Sequence, residues 1–268
     1  MAVRAYLDSS GKHGDSFVTL AAFAADDETW ADFSTGWGEV LRSGFEKVSY
    51  MHMTEAVHRL PDTPFSYKLG WTRKHIWELV FKLAEYMNRF KGGLLTMHSC
   101  EVDMKAWRRL IKQGIPVPSE VDLCNRYVSE YIVGMFANKL LRESESEIIS
   151  LGSEDMLSFT FDRNEVFIGP FSKKVNDEKV EAERSGRASI WQLVGGITDG
   201  QTDITPGLQA ADILAWGVNR QNTASEGKEG KQLAYILRQL VMCTWKEYDE
   251  VAMHREFDAC RSRSSPPL

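Results

Sequence analysis

Asp8 and Asp162 each close a run of alternating apolar and polar residues, and Asp212 interrupts the apolar face of a segment with helical spacing. Carboxylates so placed are oxygen donors for a hard divalent cation. Mg²⁺ takes near-octahedral oxygen coordination and is commonly held by a few carboxylates together with substrate phosphate oxygens. Two such ions about 4 Å apart can activate an attacking water and steady a leaving oxygen when a phosphodiester is cut. Other uses stay open at each position. An aspartate at a strand end also starts turns or caps helices, and an aspartate at the edge of an apolar stripe can reach water. A second constellation is Tyr50-Met51-His52-Met53-Thr54-Glu55. His52 and Glu55 are three residues apart and would share one side of a helical turn. Glu55 could add a fourth ligand and His52 a proton shuttle or ligand. The alternative is a histidine hydrogen-bonded near a helix start.

Asp212 has the most informative surroundings. Leu208 and Trp216 lie four residues to either side and Ala215 three residues on, all on one helix face. Gly207, Ala210, Ala211, Ala215 and Gly217 make the same helix narrow, which suits close approach to a sheet. A carboxylate facing that junction must be paired, hydrogen-bonded or bound to a cation, because burying a bare charge is costly.

Several elements must position these residues. Val3, Ala5 and Leu7 alternate with Arg4, Tyr6 and Asp8, a strand over 3–8; turn residues follow, and Phe17 to Phe23 reads as its hairpin partner. Helices are expected over 28–41, 72–90, 121–141 and 231–243, the second stopped by Gly92-Gly93, with a strand over 94–97. Met156 to Phe161 alternates as a strand that delivers Asp162, and Trp191 to Val194 reads as a short strand. Thr205 followed by Pro206 is an N-cap with proline at the first helical position, and it starts the Asp212 helix. Residues 173–187 are rich in both charges (Lys173, Lys174, Lys179, Arg184 and Arg187 among acids), as in a solvated face or a lid. Early strands followed by alternating helices and strands imply a mixed sheet with helices upon it. Residues 143–155 are the best boundary candidate, but a surface loop explains them as well. One domain over 1–260 with a frayed tail over 261–268 is the expectation.

The chain has 268 residues, enough for a core without metal or disulfide staples. Eight Trp and thirteen Phe argue against wholesale disorder. The net charge of −6 argues against a protein that merely coats nucleic acid. It is compatible with a nuclease, in which bound cations offset carboxylates locally. Cys100, Cys124, Cys243 and Cys260 form no Cys-x-x-Cys pair, so no zinc knuckle is indicated. The first residues have no basic then apolar leader, and no apolar run is long enough to span a bilayer, so a cytoplasmic address without a membrane is expected. Neither Gly92-Gly93 nor Gly195-Gly196 leads into a phosphate loop, and a solvated loop histidine is the expectation for His13.

Four segments together resemble an uncharacterised bacterial and phage family, domain of unknown function 3800. Tyr6-Leu7-Asp8-Ser9-Ser10-Gly11 is similar to its opening Tyr-x-Asp-Glu-Ser-Gly strand, and His52-x-x-Glu55 to its His-x-x-Glu segment. Phe161-Asp162-Arg163-Asn164-Glu165 resembles its second acidic strand end. Gly207-Leu208-Gln209-Ala210-Ala211-Asp212-Ile213-Leu214-Ala215 resembles its Gln-x-Ala-Asp helix, the most specific of the four. The matches span residues 6–215.

The resemblance implies an α/β fold of ribonuclease-H-like type: a mixed sheet flanked by helices, with helical insertions. It implies Asp8, Asp162 and Asp212 as ligands of Mg²⁺ or Mn²⁺, with Glu55 and His52 assisting. Ser9 stands where the family usually carries Glu, a departure that bears on activity if that Glu binds metal. The function expected is a metal-dependent nuclease on RNA or DNA. Two alternatives are carried: a non-catalytic scaffold binding a protein or nucleic acid, and a phosphoesterase on a small nucleotide. The sequence sets no oligomeric state.

Overall fold

A computed structural model describes residues 2–11, 15–90, 94–144, 156–163, 165–186, 189–221, 228–238, 243–249, 251–253 and 255. The expected helix stop at Gly92-Gly93, His13, Asn164, Arg187, residues 145–155 of the boundary candidate and the tail over 261–268 lie outside these residues.

The first strand, β1 (Val3–Ser10), occupies the middle of a six-stranded sheet. Its hairpin partner β2 (Phe17–Asp26) runs antiparallel beside it, with Asp8 opposite Ala21. The third strand, β3 (Leu94–Asp103), is antiparallel to β2. On the other side β4 (Leu157–Asp162) lies parallel to β1, and β5 (Val194–Gly200) parallel to β4. The last, β6 (Cys243–Tyr248), lies parallel to β3, giving the order β5-β4-β1-β2-β3-β6.

Alternation along the central strands assigns side chains to two apolar layers. Val3, Ala5, Leu7, Leu20 and Ala22 join one layer with Phe159, Phe161 and residues of α4 (Met104–Lys112), α5 (Glu120–Ser144) and α6 (Ile168–Ser185). Tyr6, Ala21 and Phe23 face the other way. They pack with α1 (Asp27–Arg42), α2 (Met53–His58), α3 (Arg73–Arg89), α7 (Pro206–Gln221) and α8 (Lys228–Arg238). Both faces of β1 are thus covered, which is why its polar positions carry Tyr6 and Asp8 into the interior rather than into water. Tyr6 meets Trp30 of α1 edge-on at 4.7 Å, and the Trp30 indole N–H donates to the Arg4 carbonyl at 2.9 Å.

Two expectations need correction, and a third reading, of 173–187, is narrowed. Trp191 to Val194 is not a strand: Ile190–Leu193 forms a single 3₁₀ turn, and the strand begins at Val194. Ser189 caps that turn through its hydroxyl and Gln192 bonds back to its N–H, so local capping overrides the β-favouring side chains. The helix expected over 231–243 covers Lys228–Arg238, and Cys243 belongs to β6, whose Thr-Trp-Lys-Glu-Tyr is a strand composition. The charge-rich stretch over 173–187 is mostly the solvated helix α6, which buries Phe171, Val175 and Ala182 and pairs Lys173 with Asp177 on its outer side. Among the described residues no helix is long and apolar enough to cross a membrane.

Candidate active site

The sheet register brings Asp8 and Asp162 together. Leu7 of β1 pairs with Phe161 of β4, so the next residue on each parallel strand, Asp8 and Asp162, points to the same face. That face is the one covered by α7. The helix sits close because Gly207 has no side chain: a Cβ there would lie 2.1 Å from Cδ2 of Tyr6. Five residues on, Asp212 reaches the end of β1 and is buried there. Further along, the Asn219 amide donates to the carbonyls of Ser10 and Phe17, each at 3.1 Å, and so ties both ends of the β1–β2 turn to α7. Gly11 opens that turn at φ 84°, a conformation L side chains rarely adopt.

Each carboxylate has a fixed set of neighbours. Asp8 accepts from the Ser9 N–H at 2.7 Å. Asp162 accepts from the Thr202 hydroxyl at 2.6 Å. Asp212 accepts from the Met53 N–H, the first amide of α2, at 2.6 Å. Glu165, just beyond β4, accepts from the Ser9 hydroxyl at 2.6 Å.

Burial holds the Asp8 carboxyl well above the usual carboxylate range, and the negative charges of Asp212, Asp162 and Glu165 push it further. Burial likewise lifts Asp212, to about 6; His52 and the Met53 N–H pull it down, while Asp162 and Glu55 add to the rise. Glu165 is raised by burial and held back by the Ser9 hydroxyl and the N–H groups of Val166 and Phe167. The common physical cause is negative charge gathered where water is scarce.

His52 and Glu55 sit beside this group rather than within it. His52 is the N-cap of α2, and its Nδ1 lies 3.3 Å from Glu55 Oε1. The other oxygen, Oε2, accepts from the Tyr50 hydroxyl at 2.7 Å. Asp8, Ser9, Glu165, His52, His58 and Asp212 all line one cavity of about 730 Å³; Asp162 and Glu55 are not among its lining residues. The cavity opens at the carboxyl ends of β1 and β4, where sites of open α/β sheets commonly lie.

Two contributors have no expected role in the sequence reading. Glu165 appears there only as the end of an acidic stretch. Gln209 appears only as part of the Gln-x-Ala-Asp segment, yet it organises the surroundings of the site. Its carbonyl accepts from the Trp37 indole N–H at 2.7 Å and the Met51 N–H at 3.0 Å, and its amide donates to the Thr202 carbonyl at 2.8 Å. Thr202 in turn holds Asp162. The signal for Gln209 was available: a long polar side chain one turn before Asp212 on the same apolar face.

The donors are all oxygens, which suits a hard cation in kind. In spacing they are looser: among the described residues no three His, Cys, Asp or Glu side chains stand close enough to hold a metal ion as placed. No protein-family model matches the chain, and no curated protein matches it significantly.

Proposed function

We propose that this protein is a divalent-cation-dependent phosphodiester hydrolase acting on RNA or DNA, of ribonuclease-H-like type and akin to the domain of unknown function 3800 family. One observation carries the reading. Two adjoining strand ends and one helix bring the buried Asp8 and Asp212 and the half-buried Asp162 near enough to repel one another electrostatically, with Asp8 and Asp212 lining an open cavity. An antiparallel β1–β2–β3 half joined to a parallel β1–β4–β5 half is also the mixed sheet that such a fold requires.

Asp8, Asp162 and Asp212 would hold Mg²⁺ or Mn²⁺, with Glu165 as a further carboxylate. A cation held there supplies Lewis-acid activation of water and charge stabilisation at the leaving oxygen. Ser9, the departure from the family pattern, gains meaning from Glu165. Glu165, 156 positions later and bonded to the Ser9 hydroxyl, would supply the carboxylate that the family carries at that position. The chain's own residues do the rest. Met53 N–H and Thr202 Oγ1 orient two of the aspartates, and His52, steadied by Glu55 and Tyr50, faces the cavity as a proton carrier.

The test is cleavage of end-labelled RNA and DNA oligonucleotides with Mg²⁺ or Mn²⁺ by the wild type, Asp8→Asn and Asp212→Asn. Cation-dependent cutting by the wild type, reduced to background in both folded variants, is the expected result. Equal cutting by Asp212→Asn overturns the assignment. Hydrolysis of nucleotides without any polymer cutting moves the substrate to small phosphate esters, and no cation-dependent activity or thermal shift favours the scaffold alternative.

A further inference from the structure

The helix α4 reads Met104-Lys105-Ala106-Trp107-Arg108-Arg109-Leu110-Ile111-Lys112. Met104, Ala106 and Leu110 are buried in the core. Lys105, Arg108, Arg109 and Lys112 recur at i, i+3, i+4 and i+7, a single stripe along the opposite side. No acidic residue lies within the helix, although the chain as a whole carries −6. Cations in the last turn, Arg109 and Lys112, suit the negative end of the helix dipole. Lys105 in the first turn opposes that dipole, so helix stability alone does not account for the stripe.

Its location is also informative. Met104 N–H donates to the Ser16 carbonyl at 2.9 Å, and Arg108 Nη2 donates to the Asp15 carbonyl at 3.1 Å. Asp15 lines the cavity that holds Asp8 and Asp212, and so do Glu120 and Val121 at the start of the next helix. The stripe therefore begins at the rim of the acidic cavity. At 1.5 Å per residue it runs roughly 10 Å, which faces about three phosphates of a strand.

We infer that the outer face of α4 is a track for the phosphate backbone of a nucleic-acid strand, leading that strand to the carboxylate cavity. The inference rests on the phosphodiester reading of the cavity given above. A strand fits both features, since it offers evenly repeated negative charge to the stripe and a diester to the cavity. An acidic peptide satisfies the stripe but offers no diester to the cavity.

The experiment uses the full chain in EDTA and a labelled single-stranded DNA or RNA of about twenty nucleotides, with binding followed by anisotropy across a KCl series. Three cations released from phosphate contact lower the salt slope by about 2 for a single strand, and at 0.1 M salt affinity falls about a hundredfold. That is the expectation for Lys105→Gln/Arg109→Gln/Lys112→Gln. The double variant Lys105→Gln/Lys112→Gln, at two exposed positions, should show about two thirds of that slope change and guards against misfolding of the triple. Lys173→Gln/Arg184→Gln on α6 is the control and should bind as the wild type does. Unchanged slope in both stripe variants, an equal loss in the control, or competition by poly-glutamate as effective as by an oligonucleotide overturns the track. Wild-type hydrolysis of bis(p-nitrophenyl) phosphate with Mn²⁺ reports the cavity separately. Hydrolysis without strand binding removes the track and keeps the hydrolase. Stripe-dependent binding without hydrolysis keeps the track and removes the hydrolase. Neither removes both.

Discussion

Replacing Asp212 by Asn should stabilise the cation-free protein above neutral pH. The Asn amide oxygen can accept the Met53 N–H that Asp212 accepts now at 2.6 Å, so the link to α2 persists while a buried charge is removed. The wild-type carboxyl is lifted from 3.8 to about 6. At about 1.4 kcal/mol per pH unit, ionising it in the folded state costs up to about 3 kcal/mol relative to the unfolded chain. The sign follows from the raised value. The folded protein keeps a proton that the unfolded chain has released, so this contribution is complete below about pH 4 and is lost as pH rises through about 6. Relaxation of the neighbouring acids will reduce the figure, giving about 1–3 kcal/mol in favour of Asp212→Asn at pH 8, or roughly 2–10 °C in Tm. Thermal unfolding in EDTA between pH 4 and 8 measures it, and the two curves should converge near pH 4. Adding Mn²⁺ should reverse the order at pH 8. A ligand specific to the folded state adds about 2.7 kcal/mol at a hundredfold excess over Kd, and the variant lacks one of its holders. A variant less stable than the wild type in EDTA at pH 8 would show Asp212 to be an anchor for α2 and nothing more.

The neighbouring residues give three more tests. Gly207→Ala places a Cβ against the Tyr6 ring and should cost about 1–3 kcal/mol in urea unfolding while displacing Asp212 from Asp8; unchanged stability would mean that α7 can shift freely. Gln209→Ala leaves the Trp37 and Met51 N–H groups and the Thr202 carbonyl to find new partners. A loss of about 2–4 kcal/mol and a change in tryptophan emission are expected, and a loss under 1 kcal/mol would contradict its bridging role. Glu165→Gln should weaken the Mn²⁺-induced rise in Tm and leave Asp8 easier to ionise, whereas an unchanged cation response would remove Glu165 from the site.

The three aspartates stood out in the sequence because each sits at a position where local pattern and chemistry disagree: two polar ends on strands and one charge on an apolar helix face. Their convergence was not legible, since it depends on β4 inserting beside β1 across some 150 residues, and only the sheet order shows this. His52 and Glu55 were read as partners on one helical turn, and they are paired, but through a capping position that turns Glu55 toward Tyr50. Glu165 escaped because its role depends on a serine from another strand. β6 escaped because the helical spacing before it was extended too far, a boundary that periodicity places poorly. The basic stripe of α4 is legible in the sequence by its 3–4 spacing, whereas the charges of α6 are of both signs and mark only a solvated face.

Gln209 and Asp212, one turn apart on α7, grip the main-chain amides of Met51 and Met53, and His52 lies between these two held points. The segment is thus suspended by its backbone, independently of which side chain position 52 carries. That makes position 52 an exchangeable socket at the mouth of the cavity. Cysteine, lysine or a metal-chelating unnatural residue could be installed there while the loop keeps its path. Such replacements would probe or redirect the reactivity of the cavity without redesign of the helices around it.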